Sequence, residues 1–121
     1  MSHSILVVDD EPMARNLLRL MLVREGFDVY EAVDGQDALD KLERTHPDLL
    51  ILDVMMPGVD GISVCRKVRE KCVFNTMPII MLSARTDQDS VEEGLAAGAT
   101  KYLTKPISAV QLTQHVCECL Q

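Results

Sequence analysis

Short aliphatic runs alternate along this chain with longer stretches in which apolar residues recur at helical spacing. Ile5-Leu6-Val7-Val8 has no polar interruption and predicts a buried strand. From Pro12 to Glu25, Ala14, Leu17, Leu18, Met21 and Leu22 share one face. Pro12 suits a first helical turn and Gly26 a stop, so this stretch predicts a helix. Asp28–Ala32 predicts a second, less buried strand. Asp34 or Gly35 opens a helix that turns Ala38, Leu39 and Leu42 inward and ends before Pro47. Leu49–Asp53 is the most apolar strand, and Met56-Pro57-Gly58 a turn. A helix from Gly61 to about Cys72 follows, with Ile62, Val64, Cys65 and Val68 inward. A strand is predicted over Pro78–Leu82, a helix over Asp87–Ala97 ended by Gly98, and a short strand over Lys101–Thr104. Ser108 caps a last helix that runs to the end.

Five strand–helix units in succession predict an α/β fold. Its sheet is parallel, doubly wound and covered on both faces by five helices. At 121 residues the chain has room for one domain over residues 1–121. It begins just ahead of the first strand and closes with the last helix. It is therefore a stand-alone domain or a segment of a longer protein.

Charge narrows the possible partners. The formal net charge of −7 speaks against direct nucleic-acid binding by this domain, which needs a basic face, and suits a protein that collects cations. No apolar run is long enough to span a bilayer, and the candidate Leu49-Leu50-Ile51-Leu52 is cut by Asp53, so no membrane span is predicted. Met1-Ser2-His3-Ser4 does not open a signal peptide. Cys65, Cys72, Cys117 and Cys119 form no Cys-x-x-Cys pair. We read them as reduced thiols and the compartment as cytoplasmic.

In an open parallel sheet the functional crevice lies at the carboxyl ends of the strands. Asp9 and Asp10 follow the first strand, Asp53 ends the third, Ser83 follows the fourth and Lys105 the fifth. Each has a plainer reading when taken alone. The Asp9-Asp10 pair serves as well to cap the next helix. Ser83 serves as a strand-end hydrogen bonder, and Lys105 as a solvated surface lysine. All five meeting at one sheet edge is a much narrower coincidence. Three close carboxylates repel, and a hard dication relieves the repulsion. Mg²⁺ (or Mn²⁺) takes oxygen ligands of this kind. A carboxylate beside such an ion is a nucleophile suited to phosphorus. The Lys105 ammonium and the Ser83 hydroxyl suit the negative charge of a transferred phosphoryl group. His3, His46 and His115 form no catalytic pair by their placement.

These residues resemble the receiver domain of two-component response regulators, the chemotaxis regulator included. Four stretches carry the resemblance: Val7-Val8-Asp9-Asp10-Glu11-Pro12, Leu52-Asp53-Val54-Met55-Met56-Pro57-Gly58-Val59-Asp60-Gly61, Leu82-Ser83-Ala84, and Gly98-Ala99-Thr100-Lys101-Tyr102-Leu103-Thr104-Lys105-Pro106. It spans nearly the whole chain and implies strand order 2-1-3-4-5, the flavodoxin-like arrangement of that family. It further implies Asp53 as phosphoacceptor, Asp10 as direct metal ligand, Asp9 as one acting mostly through water, and the Met55 carbonyl as a third ligand. Ser83 takes the place of the switch hydroxyl, often threonine in the family. Lys105 takes that of the phosphoryl-pairing lysine, with a cis bond to Pro106. Tyr102 takes that of the aromatic that turns inward. Met55 and Arg85 stand at the two positions that tune phosphoryl lifetime.

The implied activity is that of a signalling switch, not a turnover enzyme, with self-catalysed phosphotransfer and dephosphorylation at Asp53. The implied partners are a sensor histidine kinase or phosphotransfer protein, and an output domain or effector reached through the fourth helix, fifth strand and fifth helix. A homodimer on phosphorylation is among the implied forms, but the last helix lacks the acid–base pairs of a charge-laced interface. Val110, Leu112, Val116, Cys117 and Leu120 spread over a wide arc of it. We read this arc mainly as a buried face, with a docking surface as the alternative. A haloacid-dehalogenase-like phosphatase fits less well, because Asp53-Val54-Met55 lacks the second acid of its Asp-x-Asp. A flavodoxin-like cofactor binder fits poorly too, because Asp9-Asp10-Glu11 would repel a phosphate.

Overall fold

The computed structural model describes residues 2–56, 58 and 60–121. It contains β1 (Ser4–Val8), α1 (Pro12–Arg24), β2 (Asp28–Ala32), α2 (Gly35–Thr45), β3 (Leu49–Asp53), α3 (Gly61–Glu70), β4 (Ile79–Ser83), α4 (Gln88–Ala96), β5 (Lys101–Thr104) and α5 (Ala109–Cys119). The strands form one parallel sheet in the order β2-β1-β3-β4-β5. This is the arrangement that the alternating pattern and the resemblance imply. Element ends agree to within two residues. A single 3₁₀ turn at Cys72–Phe74, which the apolar pattern does not announce, separates α3 from β4.

The period of two along each strand builds two cores. Leu6, Val8, Leu50, Leu52, Ile79 and Met81 face α2 and α3, where Ala38, Leu42, Val64, Cys65 and Val68 meet them. Ile5, Val7, Leu49, Ile51, Ile80 and Leu82 face α1 and α5, meeting Leu18, Leu22, Leu112 and Val116. The three central strands are buried on both faces, which explains their unbroken aliphatic runs.

Caps fix where the helices begin. The side chains of Asp34, Asp60, Asp87 and Ser108 each accept a backbone N–H three residues on. Ser108 and Gln111 complete a reciprocal capping box. Of the turn expected at Met56-Pro57-Gly58, Gly58 has φ +77°, a conformation that favours glycine. Pro57 lies outside the described residues, as do Val59 and Met1. Arg69 supplies a link with no carboxylate in it. It donates to the carbonyls of Gly98 (2.8 Å), Phe74 (2.9 Å) and Met77 (2.6 Å), tying the end of α3 to the connections that lead into β4 and β5.

Two expectations about helix faces change. Leu17 does not join the core; it is 55% exposed, because the face of α1 that meets the sheet is centred on Leu18 and Leu22, with Met21 packed beside them. On α5 only Leu112 and Val116 are fully buried, with Cys119 and Leu120 packed beside them, while Val110 and Cys117 face solvent. The broad arc is therefore only partly a core face. All four cysteines carry free thiols. Among the described residues, no helix is long and apolar enough to cross a membrane.

Candidate functional site

Strand register assembles the site. Val8 of β1 is paired with Leu52 of β3, so Asp9 follows beside Asp53. Asp53 is paired with Leu82 of β4, which sets Ser83 one residue further along. Ser83 is paired with Thr104 of β5, so Lys105 leaves the sheet at the same edge. One carboxylate oxygen from each of Asp9, Asp10 and Asp53 falls within a group no wider than 4.8 Å. Asp9 is 1% exposed, Asp53 7% and Ser83 fully buried, whereas Asp10 faces solvent.

The buried carboxylates Asp9 and Asp53 each have defined partners. Asp9 Oδ1 accepts the Glu11 N–H at 2.9 Å, and Asp53 Oδ1 accepts the Met55 N–H at 3.2 Å. Lys105 Nζ stands 3.4 Å from Asp9 Oδ2 and 3.6 Å from Asp53 Oδ1. The Lys105–Pro106 bond is cis. Burial pushes the Asp53 carboxyl up to about 6; Lys105 opposes this, the Asp9 charge adds to it, and the Met55 N–H opposes it. Asp53 thus sits in a site whose electrostatics resist its ionisation.

The donor set fits a hard dication. All three side chains offer carboxylate oxygens, and their compact grouping suits an oxygen-bound ion. Three carboxylates with one ammonium in contact leave a formal charge of −2, which a single divalent cation would cancel. Gly61 keeps the neighbouring loop tight. Its N–H donates to the Val54 carbonyl at 3.1 Å, and a Cβ there would lie 2.5 Å from the Asp53 carbonyl oxygen.

Ser83, Arg85 and Tyr102 share a second arrangement. The Ser83 hydroxyl accepts the Arg85 N–H at 3.1 Å, and the Tyr102 hydroxyl donates to the Arg85 carbonyl at 3.1 Å. The Arg85 residue therefore links the two. Arg85 and Met55 also line one cavity of about 500 Å³ with Val54, Asp60 and Glu93, beside the acidic group.

Two features escaped the sequence. Arg15 donates to the Asp9 carbonyl at 2.9 Å and pairs with Glu31 at 3.2 Å, which anchors the loop that carries the acidic pair. Its place on the first helix just after that pair was the available signal. The second is an exposed apolar stripe on α1 formed by Met13, Leu17 and Leu20. It borders a largely apolar groove of about 410 Å³ that runs past Met21 and Ile107 to Lys105 and Asp9.

The model of the response regulator receiver domain matches residues 5–117. A protein from Chloroflexus aurantiacus J-10-fl assigned as a response regulator is 38% identical, with a TM-score of 0.95 over 99% of this chain and 98% of that one. The chemotaxis protein CheY4 of Vibrio cholerae is 32% identical, with a TM-score of 0.95 over 99% of this chain and all of that one. The signal receiver domain of a signal transduction histidine kinase from Syntrophus aciditrophicus is 34% identical, with a TM-score of 0.92 over 98% and 90%.

Proposed function

This chain belongs to the response regulator receiver domain family of two-component systems, and from that premise we propose that it is a switch thrown by phosphorylation of Asp53. The observation that carries the proposal is the convergence of Asp9, Asp10, Asp53 and Lys105 at one sheet edge. An ionised Asp53 oxygen attacks the phosphorus of a phosphohistidine or a small acyl phosphate. The O–P bond forms as the bond from phosphorus to the donor breaks, and the donor leaves with the electron pair. Later, water attacks phosphorus, the Asp53 carboxylate leaves, and inorganic phosphate is released.

Mg²⁺ or Mn²⁺ held by Asp9, Asp10, Asp53 and the Met55 carbonyl would supply the positive charge that this reaction needs. Lys105 already lies within 3.6 Å of Asp53 and would pair with the phosphoryl oxygens. Ser83 would exchange its bond from the Arg85 N–H for one donated to the phosphoryl group. Because Tyr102 holds the carbonyl of that same Arg85, the hydroxyl and the ring move together. Going from mostly off to mostly on needs about 5 kcal/mol of differential interaction. Charge-assisted hydrogen bonds at about 1.5–3 kcal/mol each supply that order. Met55 and Arg85, on the rim of the adjacent cavity, would set how easily water reaches the acyl phosphate.

Phosphodonor proteins, a sensor histidine kinase or a phosphotransfer protein, would dock on the α1 stripe of Met13, Leu17 and Leu20. An exposed apolar patch bordering a groove that reaches Asp9 and Lys105, the neighbours of the nucleophile, is suited to that contact. The altered α4–β5–α5 face would carry the signal to an output domain or effector, with a phosphorylated homodimer as one form. The placement in the cell is the cytoplasm, where such kinases present phosphohistidine. Peptide mass mapping after incubation with acetyl phosphate tests the proposal: the phosphoryl group must be found on Asp53 and on no other residue.

A further inference from the structure

Among the described residues, helix α4 buries fewer of its residues than any of the other four helices. Among the helical residues described in it, the only buried one is Gly94, which has no side chain to contribute. Its surroundings explain the glycine. A Cβ at this position would lie 2.8 Å from Tyr102 Cδ2, 3.1 Å from Tyr102 Cε2 and 2.9 Å from Met81 Sδ. The backbone at Gly94 does not have a positive φ, so its conformation makes no demand for glycine. Alanine is the better helix former, and the chain forgoes it where the Tyr102 ring lies against the helix. The Met81 thioether is the end of a flexible side chain and can yield. The ring cannot yield as easily, since its hydroxyl is tied to the Arg85 carbonyl.

We propose that Gly94 is a positioning residue for Tyr102: its missing side chain opens the seat on α4 in which the ring packs, and so sets how readily Tyr102 takes its packed position. The consequence for signalling rests on Tyr102 being the aromatic member of the switch, whereas the packing relationship does not.

A double-mutant cycle in urea separates the two, using the unsubstituted chain, Gly94→Ala, Tyr102→Ala and the double variant. With Tyr102 removed, Gly94→Ala should raise the folding equilibrium constant about fivefold, as expected when helix propensity acts alone. With Tyr102 present, the same substitution should lower the urea midpoint or prevent folding. A Gly94→Ala chain that fails to fold, beside a folded double variant, is the same result in stronger form. An equal gain in both backgrounds would overturn the proposal. In ¹³C-tyrosine-labelled protein, Gly94→Ala should move the Tyr102 ring signals and leave those of Tyr30 unchanged; an unmoved Tyr102 signal overturns it as well. The ring signals are also recorded in the unsubstituted protein with acetyl phosphate and Mg²⁺. A Tyr102 signal that ignores phosphorylation, with the sign reversal intact, would overturn the switch reading of Tyr102 and with it the signalling consequence.

Discussion

Lys105, just past β5, reaches Asp53 at the end of β3, with β4 between the two strands: its Nζ lies 3.6 Å from Asp53 Oδ1 and 3.4 Å from Asp9 Oδ2. One cation thus stands between two buried carboxylates. Burial is the main influence on Asp53, and Lys105 is the first to oppose it. Lys105→Ala should therefore raise the Asp53 carboxyl further above about 6 in metal-free protein, read by ¹³C NMR titration. The variant should still accept a phosphoryl group from acetyl phosphate, but its Tyr102 ring signals should no longer respond. A variant that titrates and switches like the parent would contradict this role for Lys105.

The raised carboxyl also predicts how stability depends on pH. Its value in the fold, about 6, lies above the ordinary 3.8, so the folded state holds this proton more tightly than the unfolded one. The stabilisation is complete below about pH 4 and is lost as pH rises through 6. Asp53→Asn removes that loss. With chelator present, the variant should match the parent near pH 4 and exceed it by about 1–3 kcal/mol near pH 7.5. Mg²⁺ should then stabilise the parent more than the variant, since it binds the folded site. Urea titrations at both pH values provide the check, and a gap that does not widen with pH would refute the electrostatic picture.

Met55 is half exposed on the rim of the cavity beside Asp53. Its thioether should hinder water on its way to the acyl phosphate. Met55→Asn should shorten the phosphoryl lifetime by about threefold or more, a barrier change of roughly 0.7 kcal/mol. Release of inorganic phosphate from the purified phosphoprotein measures it. An unchanged rate would remove Met55 from the account.

On α1, Leu17→Glu and Leu20→Glu place charge on the exposed stripe without opening the core. Stability should stay within about 0.5 kcal/mol of the parent. Labelling by acetyl phosphate should be unaffected, whereas transfer from a phosphohistidine protein should fall about tenfold, or roughly 1.4 kcal/mol. Equal loss with both donors would locate the effect in the site and not on the docking surface.

Much of this architecture could be read from the chain because its causes are local. Leu49–Leu52 and Ile79–Leu82 are unbroken apolar runs, as strands buried on both faces must be. Once the strands are parallel, their carboxyl ends share an edge, and Asp9, Asp53, Ser83 and Lys105 meet there as a consequence of register. Other features depend on what neighbouring elements do. Leu17 has the spacing of a core residue, yet the face of α1 that meets the sheet is centred on Leu18, Met21 and Leu22 and leaves Leu17 to solvent. The Arg69 bonds reach carbonyls in two separate connections, one before β4 and one before β5, which helical periodicity cannot anticipate. Likewise, the place of Gly94 under Tyr102 requires α4 to be docked first.

The most direct test of the central claim is the intact mass of the protein after incubation with acetyl phosphate, with and without Mg²⁺, beside Asp53→Asn. The account predicts a gain of one phosphoryl group that requires Mg²⁺ and is absent from the variant. A folded, Mg²⁺-binding parent that gains nothing, or a variant that gains as much as the parent, would contradict it.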